Sequence, residues 1–179
     1  MSSVNRTNKY QRWLAAALEQ LNKDFLDDIF QPENESDVQC HLYHLLLSGK
    51  DKVAGLTNEH LVLSEYKVHG SQKRIDLAVV KKTKHKIEPR LLIEIKETRK
   101  KDLEPAVVES RVKNDINKLR RLVKQLLVKK LAHAQSLSNP TIYFFFRGAR
   151  GFSIGMETNR KLEALQQKYP DVDLQWGPH

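Results

Sequence analysis

A long helical periodicity set between two strand-like stretches constrains the fold most. From residue 105 to about 133, Val108, Val112, Ile116, Leu119, Leu122, Leu126 and Leu127 recur every three or four positions. That spacing lines one face of a helix, and the remaining face is rich in Lys and Arg. Before it stands RLLIEIKE (90–97); after Asn139 and Pro140 stands TIYFFFRG (141–148). Both are apolar runs of strand length. A helix joining two strands of one sheet predicts a right-handed crossover. Pro105 suits the first position of that helix.

The rest of the chain fits around this unit. NKYQRWLAAALEQLNKDFLDDIF (8–30) has Tyr10, Trp13, Leu14, Ala17, Leu18, Leu21, Phe25 and Ile29 at helical spacing. Pro32 is expected to stop this helix, and Asn34 to cap the next. The second helix, ESDVQCHLYHLLL (35–47), buries Val38, Leu42, Leu45 and Leu46, with Gly49 as its stop. LVLSEYKV (61–68), a turn at Gly70 and Ser71, RIDLAVV (74–80), a Lys-rich loop and RLLIEIKE predict an antiparallel meander. A helix over 158–169 and a short strand, VDLQW (172–176), close the chain. This order predicts an α/β fold with a mixed central sheet flanked by helices.

Length favours one domain, since 179 residues can bury a substantial core. With 40% hydrophobic and 30% charged residues the chain reads as globular, and no apolar run approaches membrane-spanning length. The opening MSSVNRTNKY is polar and carries no apolar signal core. Cys40 is the single cysteine, so no intrachain disulfide forms, which fits a reducing, intracellular and cytoplasmic setting. The net charge of +9 favours polyanionic partners, nucleic acid above all. Much of the excess lies in KKTKHK, TRKK and KLRR, between 81 and 130.

Within RLLIEIKE, Leu91, Ile93 and Ile95 form one face, while Leu92, Glu94 and Lys96 share the other. In RIDLAVV, Ile75, Leu77 and Val79 take one face, and Asp76 shares the other with Ala78 and Val80. Neighbouring strands thus each place a carboxylate among apolar residues. A buried carboxylate is costly unless paired or bound to a cation, and two adjacent ones repel. A hard divalent cation held by Asp76 and Glu94 removes the repulsion, and Mg²⁺ prefers such oxygen ligands. Lys96, projecting beside Glu94, can orient a water near the metal and stabilise charge on a phosphoryl group. Glu35, at a helix start, can reach the metal through water or tune Lys96. Together these groups suit hydrolysis of a phosphodiester. The plain alternative is a structural ion pair of Asp76 and Lys96 facing solvent, with Glu94 beside it.

The set ENESDVQ, RID and IEIK, in that order, resembles the PD-(D/E)xK nuclease superfamily, which has the restriction-endonuclease-like fold. The resemblance spans roughly residues 35–147 and implies an αβββαβ core, here with an extra N-terminal helix. On that division 1–31 is a helical extension, 34–147 the core and 148–179 a C-terminal helix and tail. Where the family signature often has proline, this chain has Ile75. The resemblance implies Mg²⁺ or Mn²⁺ bound by Asp76, Glu94 and the backbone carbonyl of Ile95, with catalysis by Lys96 assisted by Glu35. Gln39, one turn after Glu35, is a further candidate. The resemblance also implies an endonuclease acting on nucleic acid, with DNA the expected substrate. Many members are dimers, so a homodimer is one expected arrangement.

Other signals carry competing readings. Lys73, Arg74, Arg147 and Arg150 can touch phosphate or merely solubilise loops. Arg111, Lys113, Lys118, Arg120, Arg121 and Lys124 can track a nucleic-acid backbone or form a solvated helix face. His41 and His44 stand three apart on a helix without a third metal ligand beside them. The aromatic run YFFF (143–146) reads as core rather than as a stacking platform. Two other functions compete with the nuclease: a catalytically silent nucleic-acid-binding or assembly module on the same fold, and a basic domain whose partner is protein.

Overall fold

The computed structural model describes residues 8–68, 74–99, 104–132, 137–147 and 156–177. The elements run α1 (Lys9–Leu26), α2 (Glu35–Gly49), β1 (His60–Lys67), β2 (Arg74–Lys82), β3 (Ile87–Arg99), α3 (Pro105–Val128), β4 (Thr141–Arg147), α4 (Met156–Lys168) and β5 (Asp173–Gly177). The five strands make one mixed sheet in sequential order. β1, β2 and β3 form the antiparallel meander, whereas β3–β4 and β4–β5 pair in parallel across the helical connections α3 and α4. No described helix is long and apolar enough to cross a membrane.

Both faces of the sheet are covered. One buried cluster joins Trp13, Leu14, Leu21 and Phe25 of α1 and Val38, Leu42 and Leu46 of α2 to Leu77, Val79, Leu91, Ile93 and Ile95. The other joins Val112, Ile116, Leu119 and Leu122 of α3 and Leu162 and Leu165 of α4 to Ala78, Val80, Leu92 and Ile142. The alternation in β2 and β3 therefore sorts side chains between two cores rather than between core and solvent. α1 is pinned to α2 by the Trp13 indole, which donates to the Leu46 carbonyl at 3.0 Å.

Local chemistry sets several boundaries. Asn34 caps α2: its side chain accepts from the amides of Ser36 and Asp37, and the Asp37 carboxylate accepts from the amides of Asn34 and Glu33. α1 ends at Leu26, short of the stop expected at Pro32. Asp28 is left-handed, with φ 64°, and the amides of Ile29 and Phe30 bond back to the Asp24 carbonyl. Ile29, expected on the buried face, is 70% exposed. β3 begins three residues before Arg90 and passes through Pro89. The register of β2 and β3 shifts between Val79 and Val80, and β4 pairs with β3 only from Ile93 onward. Proline meets no β4 ladder at that point. Ile75 also departs from strict alternation, joining Val68 in the α3 and α4 cluster.

Candidate active site

The site forms where the sheet loses its regular pairing. The β1–β2 register runs through Ser64–Leu77 and resumes at Tyr66–Ile75, so Glu65 and Asp76 face each other without a ladder pair. The β2–β3 register ends at Leu77–Ile93, and its next rung would set Asp76 opposite Glu94. Continued pairing would set Glu65, Asp76 and Glu94 on one rung, and like charges directly opposite destabilise a sheet. Glu65 is left-handed, with φ 50°, and its carboxylate lies 3.6 Å from Arg74 and 3.4 Å from the Gln39 amide. Gln39 also donates to the Asp76 carbonyl at 2.8 Å, taking the place of the missing ladder partner. Strain of this kind collects where a structure holds functional groups in place.

Asp76 and Glu94 remain. The Asp76 carboxylate accepts from the Ile95 amide at 2.7 Å, bridging the parted strands. Glu94 is 2% exposed; its Oε1 lies 2.5 Å from the Lys118 ammonium and 3.4 Å from that of Lys96. Its Oε2 is buried with no hydrogen-bond partner among the described residues. The start of α2 reaches the end of β3: Glu35 lies 3.4 Å from Lys96 and accepts from the Glu97 amide at 3.2 Å. Three elements, α2, β2 and β3, therefore bring Glu35, Asp76, Glu94 and Lys96 together, and α3 adds Lys118.

Electrostatics follow from this crowding. Burial raises the Asp76 carboxyl above its ordinary value and Glu94 raises it further; the Ile95 amide, Lys96 and Lys118 offset only part. Burial alone would lower the Lys96 ammonium, but the charges of Glu94, Glu35, Asp115 and Asp76 outweigh it and raise its pKa. Asp115, on α3, is raised by burial despite the pull of Lys96 and Lys118.

Two features of the donor set are ones a hard divalent cation would relieve. An orphaned oxygen on Glu94 and a carboxyl on Asp76 resisting ionisation beside it are what such a cation relieves. The Asp76 and Glu94 carboxylates and the Ile95 carbonyl would hold it, with water completing the shell. Among the described residues no group of three or more His, Cys, Asp or Glu side chains is arranged to hold a metal ion. A site there would rest on two carboxylates, a number Mg²⁺ accepts because it keeps much of its water.

Other candidates divide. Arg74 is exposed at the start of β2, beside Glu65. Lys73, Arg150 and the Gly70–Ser71 turn lie outside the described residues, as does the Arg147 side chain. His41 is bonded to Asp24 at 2.8 Å and stacked on Phe30 at 4.2 Å, so it ties α2 to α1. Lys118, expected among the outward basic residues of α3, turns inward to Glu94, and Asp115 of the same helix lies within electrostatic reach of Lys96 and Lys118. Their one sequence signal is position: both flank the apolar stripe of Ile116 and Leu119.

No protein-family model, curated protein or solved structure matches this chain.

Proposed function

We propose that this protein is a metal-dependent endonuclease of the PD-(D/E)xK type, built on a restriction-endonuclease-like αβββαβ core and hydrolysing phosphodiester bonds in DNA. The observation that carries the reading is Glu94: a buried carboxylate with one orphaned oxygen, set opposite Asp76 just past the last β2–β3 ladder pair and within reach of Lys96. A buried charge is rarely left half-satisfied without a task.

On this reading Asp76 and Glu94, with the Ile95 carbonyl, hold Mg²⁺ or Mn²⁺. The cation supplies Lewis acidity toward the phosphodiester and its attacking water. Lys96, whose pKa is raised by its carboxylate neighbours, stabilises negative charge as it builds on the phosphoryl oxygens. Glu35 positions Lys96 and, through the Glu97 amide, ties the end of β3 to α2. The net charge of +9 favours association with a polyanionic substrate. Incubation of plasmid DNA with protein and Mg²⁺ or Mn²⁺ tests the proposal. Nicking or linearisation is expected, and is lost in Asp76→Ala and Lys96→Ala; cutting that survives both substitutions contradicts it.

One observation favours a second reading. Lys118 already sets a cation 2.5 Å from Glu94, as a silent nucleic-acid-binding or assembly module would require. Salt-dependent DNA binding, with neither cleavage nor stabilisation by Mn²⁺, would mark that module.

A further inference from the structure

The Lys118 ammonium and the proposed metal address the same group. Glu94 is almost fully buried, so its charge requires a partner wherever the protein is folded. Lys96 cannot be that partner alone, because it also lies 3.4 Å from Glu35. Lys118 comes from a different element, closes to 2.5 Å and retains 22% exposure. Its flexible four-carbon stem can therefore swing outward. Asp115 stands three residues earlier on the same helix flank, within electrostatic reach of Lys118. Four carboxyl groups (Glu35, Asp76, Glu94, Asp115) and two ammonium groups (Lys96, Lys118) act on one another here.

We infer that Lys118 is a built-in competitor for the metal: it neutralises Glu94, and a divalent cation binding Asp76 and Glu94 displaces it toward Asp115. The inference rests on the nuclease reading of the site and goes beyond it. A divalent ion on Oε2 of Glu94 would stand beside the Lys118 ammonium held at 2.5 Å on Oε1 and repel it more strongly than Lys96, 3.4 Å away, so metal entry and Lys118 departure are coupled. Lys118 is then a positioning residue, setting how much metal the site requires while tying α3 to β3 below that level.

Calorimetric titration with Mn²⁺ alone, at fixed ionic strength, tests this. Lys118→Met is expected to bind Mn²⁺ about tenfold more tightly than wild type, a change of ~1.4 kcal/mol. Lys118→Gln serves should the methionine variant fail to fold. Lys124→Met removes the same charge from an exposed position of α3 and is expected to leave affinity within about twofold. In the unaltered protein, Mn²⁺ is expected to raise amine labelling of Lys118 several-fold but not that of Lys96, and Asp76→Asn abolishes the rise. Equal or weaker binding by the Lys118 variants, tightening by Lys124→Met to the same degree, or unchanged labelling each overturns the inference. Absence of Mn²⁺ binding in wild type and Lys118 variants alike overturns the metal-centre reading as well, so the two failures are distinguishable.

Discussion

Replacing Glu94 by glutamine keeps the shape of the side chain and removes its charge. In the folded protein two ammonium groups, Lys118 and Lys96, converge on Oε1 of Glu94. Removing one partner from a fully buried ion pair costs about 3–5 kcal/mol. Lys118 and Lys96 are 22% and 26% exposed, so water takes over part of that role. Relief of the repulsion between Glu94 and Asp76 returns a further part. The net loss is about 2 kcal/mol, or roughly 4–8 °C in Tm for a chain of this size. Thermal unfolding by circular dichroism in chelator measures it. Saturating Mn²⁺ supplies a second arm: wild type gains ~2.7 kcal/mol at a hundredfold excess over Kd, and Glu94→Gln gains little. A variant as stable as wild type in chelator would refute the ion-pair assignment. A variant stabilised by Mn²⁺ as much as wild type would refute the role of Glu94 as a ligand.

Three further perturbations probe the surrounding structure. The pKa of Asp76 is raised on folding, so it favours the folded state below the ordinary carboxylate range and this contribution is lost as pH rises through the raised value. Asp76→Asn should therefore gain on wild type in metal-free urea melts between about pH 4 and pH 7; a constant or shrinking gap would show that Asp76 is not desolvated. Glu65→Gly relieves a left-handed backbone at the loss of an exposed pair with Arg74, and should be neutral or stabilising by ~1 kcal/mol in the same melts; a loss of ~1 kcal/mol or more would mean the Glu65 side chain holds the kink. Gly177→Ala places a methyl 2.5 Å from the Asn22 side chain, which accepts from the Tyr143 hydroxyl. It should cost about 1–3 kcal/mol, and wild-type stability would show that Asn22 yields freely.

Much of the architecture was legible because it rests on periodicity. The stripe from Val108 to Leu126 gave α3, and the alternation in RIDLAVV and RLLIEIKE gave β2 and β3. Asp76 and Glu94 stood out because charge on an apolar strand breaks its own pattern. The misreadings arose where tertiary context overrides local pattern. Ile29 fits a helical spacing, but the chain has already turned at Asp28. The strand's start at Ile87, inside the expected Lys-rich loop, comes from pairing with β2 over a length that β4 does not reach. Lys118 and Asp115 flank an apolar helix face, where charge is ordinary. Only the crossing of α3 over Glu94 gives them a role, and no one-dimensional pattern carries that crossing. The strain at Glu65 was equally hidden, since nothing in LVLSEYKV announces a left-handed residue.

Mn²⁺ soaked into crystals, located by its anomalous scattering, probes the centre of the proposal directly. A nuclease metal site predicts one strong peak about 2.0–2.3 Å from carboxylate oxygens of both Asp76 and Glu94, with the Ile95 carbonyl in the same shell. Crystals that show no peak there at saturating Mn²⁺, or a peak served by other residues, would contradict it.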